Sequence, residues 1–364
     1  MTRLGVERAL VSGQFVPGDV EVSDGVVAAV GLPGQGRGLA VPGFVDLQIN
    51  GFGGVDFLAA DPAGYAAAGE QLLRTGVTAF QPTLITSPVG DLERALRVVR
   101  DVVATDIGPR VLGAHLEGPF LSPVRAGTHP VEHLRDPDAA LLARLLGCGP
   151  VTQVTLAPER PGALEMIKQL VGDGVVVACG HTDADAQQAH AAFDAGASTV
   201  THLFNAMRAW SPRHPALTGV ALARSDVTVQ MIVDGVHLAA ETVLVAWRAA
   251  AGRAALVTDA IAAAAQGDGR YRLGQVDVQV RGPEVRRADG TLAGSVLTMD
   301  AAVRNVVHIG VPLVDAVAAA TSIPAGIARR GDLGVLRVGG PADVVVLDDD
   351  LQVHRVLCRG RPAP

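Results

Sequence analysis

Short runs of β-branched and apolar residues alternate with Ala- and Leu-rich stretches of helical spacing through most of the chain. That alternation predicts βαβ units around a parallel sheet. The runs fall at residues 43–47, 77–81, 111–116, 151–156, 175–179, 198–202, 228–233 and 255–258. Eight of them predict an α/β fold, a closed (β/α)8 TIM-like barrel. Segments 91–103, 164–171, 184–195 and 239–251 carry apolar residues at helical spacing and belong to its outer ring. Residues 42–320, roughly 280 in all, come close to the ~250 typical of such a barrel.

The two ends read differently. Residues 1–41 form short strands broken by Gly and Pro turns, and the tail from 334 runs GVLRVGGPADVVVLD, first alternating and then continuously apolar. Neither end buries a core alone, so the two are expected to pair into one small β-sandwich domain. The predicted organisation is 1–41 and 334–364 for the small domain and 42–333 for the barrel. A glycine-broken hairpin pattern at 267–294 is expected near the barrel mouth. Residues 309–328 hold Pro312, Asp315 and Pro324 and read as a buried helix with flanking turns, not a membrane span.

Composition narrows the function. The 364 residues are 49% hydrophobic and 18% charged, the balance of a globular enzyme and not of a disordered chain. A net charge of −7 with 3% aromatic residues leaves neither a basic surface nor a stacking platform, so nucleic acid is not an expected partner. Cys148, Cys179 and Cys358 are odd in number and far apart, which predicts no disulfide framework and fits a reducing compartment. Glu7 and Arg8 interrupt the stretch where an export signal needs apolar residues, so a cytoplasmic protein is expected.

In a parallel barrel the chemistry sits at the C-terminal ends of the strands. Those ends carry His115-Leu116-Glu117, Gly180-His181, Thr201-His202 and Thr258-Asp259, which brings Glu117, His181, His202 and Asp259 towards one cavity. One Glu and two His form a recurrent catalytic zinc set, with a position left open for water. Asp259 follows the apolar strand ALVTD, where an unpartnered carboxylate is costly to bury. It reads either as the N-cap of the Ala-rich segment that follows or, as favoured here, as a general base towards the attacking water.

These residues lie in runs that carry a resemblance. PGFVDLQINGFGGVD from Pro42, HLEGPFLSPVRAGTHP from His115, GHTDA from Gly180, THLFNAM from Thr201, DGVHL from Asp234, LVTDA from Leu256 and LAGSVLTM from Leu292 resemble the amidohydrolase superfamily over nearly the whole chain. Within it they resemble the N-acetylglucosamine-6-phosphate deacetylase family. The resemblance implies hydrolysis of the N-acetyl group of an amino-sugar 6-phosphate, with Glu117, His181 and His202 as metal ligands and Asp259 as base and then acid. Many superfamily members end the first strand with His-x-His for a second metal. This chain has Gln48-Ile49-Asn50, and neutral amides are poor zinc ligands. The position is therefore vestigial, and one divalent metal per subunit is implied: zinc first, with iron, cobalt or manganese also compatible. Lys168, the sole lysine, lies in a predicted outer helix, which excludes a bridging carboxylated lysine.

For the phosphate, the resemblance implies Arg213 reaching across a homodimer interface, with His237 and the backbone of Asn205 and Ala206. For the sugar it implies His129, which also polarises the amide carbonyl, together with Thr128, Leu292, Ala293 and Gly294. The partner is a small phosphosugar, with no membrane. The gluco and galacto epimers are not separated by these motifs, and a catalytically inert scaffold on the same barrel stands as the rival from outside catalysis. His115, His133, His190, His308 and His354 are assigned no chemistry.

Overall fold

The computed structural model describes residues 1–34, 36–105 and 108–364. Eight parallel strands form the barrel: β1 Phe44–Ile49, β2 Val77–Ile85, β3 Ala114–Glu117, β4 Val151–Leu156, β5 Val176–Cys179, β6 Thr199–Val200, β7 Thr228–Met231 and β8 Ala254–Leu256, with the short strand Arg110–Val111 paired beside β2 as a ninth member of the sheet. Each barrel strand pairs with the next in chain order. Just past the strand ends the ring closes, where Asp259 N donates to Gln48 O at 2.8 Å and Asn50 N to Ala260 O at 2.7 Å. The predicted TIM-like barrel is the fold of this chain.

Local sequence explains the helices around it. Asp61 caps the helix Pro62–Arg74, whose proline occupies the first turn, where no N–H partner is required. Asp185 and Gln188 form a reciprocal capping box at the start of Ala186–Asp194. Segment 309–328 differs from its reading as one helix: it holds two, Leu313–Ala320 and Ser322–Ile327, broken at Thr321. Pro324 sits in the first turn of the second, where its ring is tolerated. Strand β6 is shorter than the predicted 198–202 because the chain kinks at His202, whose φ is +29°.

Both termini enter the small domain. Its larger sheet runs, in order, Arg361–Pro362, Val353–Cys358, Val344–Leu347, Leu39–Pro42, Arg8–Val11 and Gln14–Pro17, so strands from the two chain ends lie side by side. A second sheet of Thr2–Arg3, Asp19–Ser23 and Val26–Leu32 packs against it over Val6, Val20, Val22, Val27, Leu336 and Val344. The predicted hairpin is a three-stranded antiparallel sheet, Gly269–Leu273, Val276–Arg281 and Glu284–Arg286. It packs on Ile85 and Ile261 beside the barrel mouth.

Unlike barrels filled with branched aliphatic side chains, this one has polar residues in its interior. Gln81, Thr83, His115, Gln153, Thr155, Thr199 and Gln230 are all buried. His115 bridges Thr83 Oγ1 (3.2 Å) and Thr155 Oγ1 (2.7 Å), and burial pushes its imidazole down to about 4. Between β1 and β8, the fully buried Asp46 accepts from Thr258 Oγ1 (2.6 Å), Thr258 N (3.3 Å) and Gln48 N (3.2 Å).

Burial pushes the Asp46 carboxyl up to about 7 despite those hydrogen bonds. The folded chain thus keeps this proton up to about pH 7, whereas the unfolded chain releases it near its ordinary value. Between those limits the folded state binds more protons, so stability falls as pH rises, by at most about 4 kcal/mol for a shift of that size. Asp46→Asn should flatten the decline in stability between pH 4 and pH 8 in denaturant unfolding with chelator present. Parallel curves for the two proteins would contradict the assignment.

Candidate active site

Glu117 is the last residue of β3; His181 and His202 follow β5 and β6 by two positions, and Asp259 follows β8 by three. The last three have left-handed backbone, with φ of +47°, +29° and +49°. Non-glycine residues rarely adopt that conformation, and it persists only where the surroundings enforce it. Here the enforcing bonds are visible at Asp259, whose N–H donates to Gln48 O and whose carbonyl accepts from Ser295 N, both at 2.8 Å.

The result is a convergence of side-chain donor atoms. Glu117 Oε1 lies 3.2 Å from His181 Nε2 and 3.0 Å from His202 Nε2, and the two Nε2 atoms are 3.1 Å apart. His181 Nδ1 lies 3.0 Å from the Arg125 carbonyl, an oxygen that can only accept, so Nδ1 carries the proton. In the neutral ring the Nε2 lone pair then faces a carboxylate and a second imidazole. Such an arrangement calls for a positive charge between the three atoms, and one carboxylate with two imidazoles suits a divalent metal with a position left open. Burial would raise Glu117, but the imidazoles of His181 and His202 beside it hold its carboxyl well below the usual range. Burial would lower His202, but Glu117 beside it raises that imidazole.

Two buried amides, Gln48 and Asn50, donate to the carboxylates. Gln48 Nε2 donates to Glu117 Oε1 (3.2 Å) and to Asp259 Oδ1 (3.3 Å), and Asn50 Nδ2 donates to the same Oδ1 at 2.7 Å. Burial, and next the charge of Glu117, push Asp259 up to about 6. His129 lies at the other side of the site, its Nε2 3.8 Å from Glu117 Oε2. Its Nδ1 lies 2.9 Å from Thr86 Oγ1, a hydroxyl able to donate to it, and accepts from Thr86 N at 3.3 Å, an N–H that can only donate, so a neutral ring carries its proton on Nε2. Burial keeps it neutral by pushing its pKa down to about 3. Donor atoms of Glu117, His129 and His181 also lie within 4.8 Å of one another, but the triangle with His202 is the tighter.

These groups open into a cavity of about 370 Å³ that Thr128, Asn205, Ala206, His237, Leu292 and Gly294 also line. Gly294 has φ +65°, and a Cβ there would lie 2.8 Å from the Asp259 carbonyl, so only glycine lets this loop approach the site. Ala293 is buried behind the wall. Thr128 Oγ1 is buried without a partner among the described residues, and His237 Nδ1 is held by Asp234 Oδ2 at 2.7 Å. The Asn205 N–H is engaged by His202 O at 3.0 Å. Arg213 is exposed and does not line the cavity of its own chain. Lys168 lies exposed on the helix Ala163–Gly172. Sequence reasoning missed Arg125 and Thr291, which line the cavity too; the one available signal was an arginine four residues before His129 within an otherwise apolar run.

Residues 39–363 match the Amidohydrolase family. The chain belongs to the amidohydrolase family. Amidohydrolases are metal-dependent, and this one presents a residue group able to hold a metal. It is 36% identical over 354 residues to the N-acetylgalactosamine-6-phosphate deacetylase of Escherichia coli O157:H7, covering 94% of each chain. It is 41% identical to the N-acetylglucosamine-6-phosphate deacetylase of Homo sapiens, over 89% of this chain and 83% of the human one. In three dimensions it is similar to a Mycobacterium smegmatis N-acetyl-D-glucosamine-6-phosphate deacetylase variant solved in complex with N-acetyl-D-glucosamine-6-phosphate. That match has 39% identity and a TM-score of 0.95, covering 100% of this chain and 99% of the other.

For this amidohydrolase, His181→Asn and His202→Asn are each expected to lower metal content per chain to a small fraction of that of the unaltered protein, measured by elemental analysis after dialysis. Full metal content in either variant would refute the ligand set.

Proposed function

We propose that this chain hydrolyses the N-acetyl amide of N-acetyl-D-glucosamine 6-phosphate, giving D-glucosamine 6-phosphate and acetate. The observation that carries the reading is the meeting of the Glu117, His181 and His202 donors with a buried, amide-held Asp259 in one cavity. The deacetylases of both epimers to which the chain is similar support the substrate class.

Glu117, His181 and His202 would hold one divalent cation per subunit, zinc first, with iron, cobalt or manganese also accepted by such a set. When bound, that cation supplies Lewis acidity towards water and towards a carbonyl oxygen. Gln48 and Asn50 stand at a vestigial second-metal position and serve instead as donors. Both amides bond Asp259 Oδ1, which leaves Oδ2 for the reacting proton. Asp259 takes a proton from the attacking water and passes it to the departing nitrogen, a double role suited to a carboxyl raised towards neutrality. His129, neutral with its proton on Nε2, donates to the amide oxygen as negative charge develops there. Thr86 fixes that tautomer, since its backbone N–H occupies Nδ1.

Thr128 and the segment Leu292, Ala293 and Gly294 line the sugar site. The phosphate meets His237, the backbone turn of Asn205 and Ala206, and Arg213 from the neighbouring subunit of a homodimer. Among the described residues the Ala206 N–H has no internal partner, which suits an anion. The protein works in the cytoplasm on a small molecule; among the described residues no helix is long and apolar enough to cross a membrane. A second reading, the galacto epimer as substrate, is favoured by the 36% identity to the Escherichia coli O157:H7 enzyme.

Two measurements test the proposal. Acetate release from N-acetylglucosamine 6-phosphate should vanish in protein stripped by chelator and return with about one equivalent of Zn²⁺, run beside the galacto epimer; silence on both substrates with metal bound overturns it. Asp259→Asn should lose at least about a hundredfold in kcat yet keep its metal. Near-normal turnover would remove Asp259 from this role.

A further inference from the structure

We infer that Asp183, which lies outside the reacting groups, is a positioning residue: it clamps together the loops that carry His129, His181 and His202 and thereby fixes the imidazole of His181. The inference rests on the reading of His181 and His202 as ligands.

The loops after four successive strands meet at this carboxylate. From the loop after β3, Arg125 reaches Asp183 Oδ1 through Nε at 2.9 Å and through a terminal nitrogen at 2.8 Å. From the segment after β6, Arg208 reaches Oδ2 at 2.6 Å. Asp183 is itself anchored to the loop after β4: its N–H donates to Glu159 Oε1 at 2.7 Å, and Thr182 Oγ1 donates to Glu159 Oε2 at 2.5 Å. Backbone bonds run parallel to these side chains. Ser122 N donates to His181 O at 2.9 Å, Thr182 N to Ala206 O at 3.1 Å and Arg208 N to Thr182 O at 3.0 Å.

Exposed ion pairs usually contribute little. This one differs in what its partners hold. The Arg125 guanidinium is gripped by Asp183 while the Arg125 carbonyl accepts from His181 Nδ1 at 3.0 Å. The same residue therefore ties the loop down and sets which way the His181 lone pair points. Two residues on, Gly127 lies against the ring, where a Cβ would stand 3.1 Å from His181 Cε1. Without the carboxylate, two guanidinium groups lose a shared acceptor, the loop after β3 is released, and the carbonyl that orients His181 moves with it. Groups that orient ligands in this way are worth about 10- to 100-fold in metal affinity.

The test is a zinc titration of the full chain against a chromogenic chelator, with wild type, Asp183→Asn, Asp183→Glu, Arg208→Gln and Asp91→Asn compared. Asp91 pairs with Arg94 inside one outer helix and serves as the exposed-pair control. Asp183→Asn should bind zinc about tenfold more weakly, Asp183→Glu should recover part of that loss, and Asp91→Asn should match wild type. Arg208→Gln removes one strap at a side chain that is 40% exposed, leaves the barrel core untouched, and should give a smaller loss in the same direction. Affinities of Asp183→Asn and Arg208→Gln within twofold of wild type would overturn the inference while leaving the ligand reading intact. A wild type that binds no zinc at this site would overturn both.

Discussion

Glu117, His181 and His202 aim three lone pairs at one point, and most of what surrounds them follows from having to hold that arrangement. Like-signed electron density within 3.0–3.2 Å is tolerable only with a positive charge in its midst and with rigid supports behind each donor. The supports are specific. The Arg125 carbonyl fixes the tautomer of His181. Left-handed backbone turns His181 and His202 inward from their strands, and the Gln48 amide lies against Glu117. A closed barrel suits this task because it brings eight strand ends to one rim, each with its own loop.

The second constraint is the burial of neighbouring carboxylates. Glu117 and Asp259 share the Gln48 amide, and Asp46 bonds Thr258, the residue before Asp259, at the seam of the barrel. Burial and the neighbours of each acid set their ionisation apart: desolvation pushes Asp46 and, with the charge of Glu117 added, Asp259 up, whereas the imidazoles beside Glu117 hold it low. An acid that is readily both charged and neutral near pH 6 can take and return a proton. The same crowding that burdens the fold therefore equips the site, and the amides of Gln48 and Asn50 moderate the charge by donating to both carboxylates.

Much of this was legible in the chain. Apolar runs at regular intervals revealed the barrel because parallel strands are buried on both faces, and Glu117, His181, His202 and Asp259 stood out as polar residues at the ends of those runs. Other features were hidden for physical reasons. Gln81, Gln153 and Gln230 line the barrel interior, yet single polar residues within short strands read as outward-facing. The break at Thr321 carries no strong local signal beyond Pro324 three residues on. Arg125 and Asp183 meet across 58 positions, and no local pattern announces such a pair. Arg213 was singled out by resemblance alone, and in a single chain it is exposed and does not line the site cavity.

The small domain has a consequence for how the protein is made. Its strand Leu39–Pro42 leads almost directly into β1 and is flanked by Arg8–Val11 on one side and Val344–Leu347 on the other. A ribosome delivers the second neighbour only after the whole barrel has been translated. Until then the strand leading into the barrel presents an unpaired edge, and Val41 and Leu39 lack part of their cover. The strand that covers the entrance to the barrel thus arrives after the barrel itself, so the fold is sealed at the place where the barrel begins by a segment made after it.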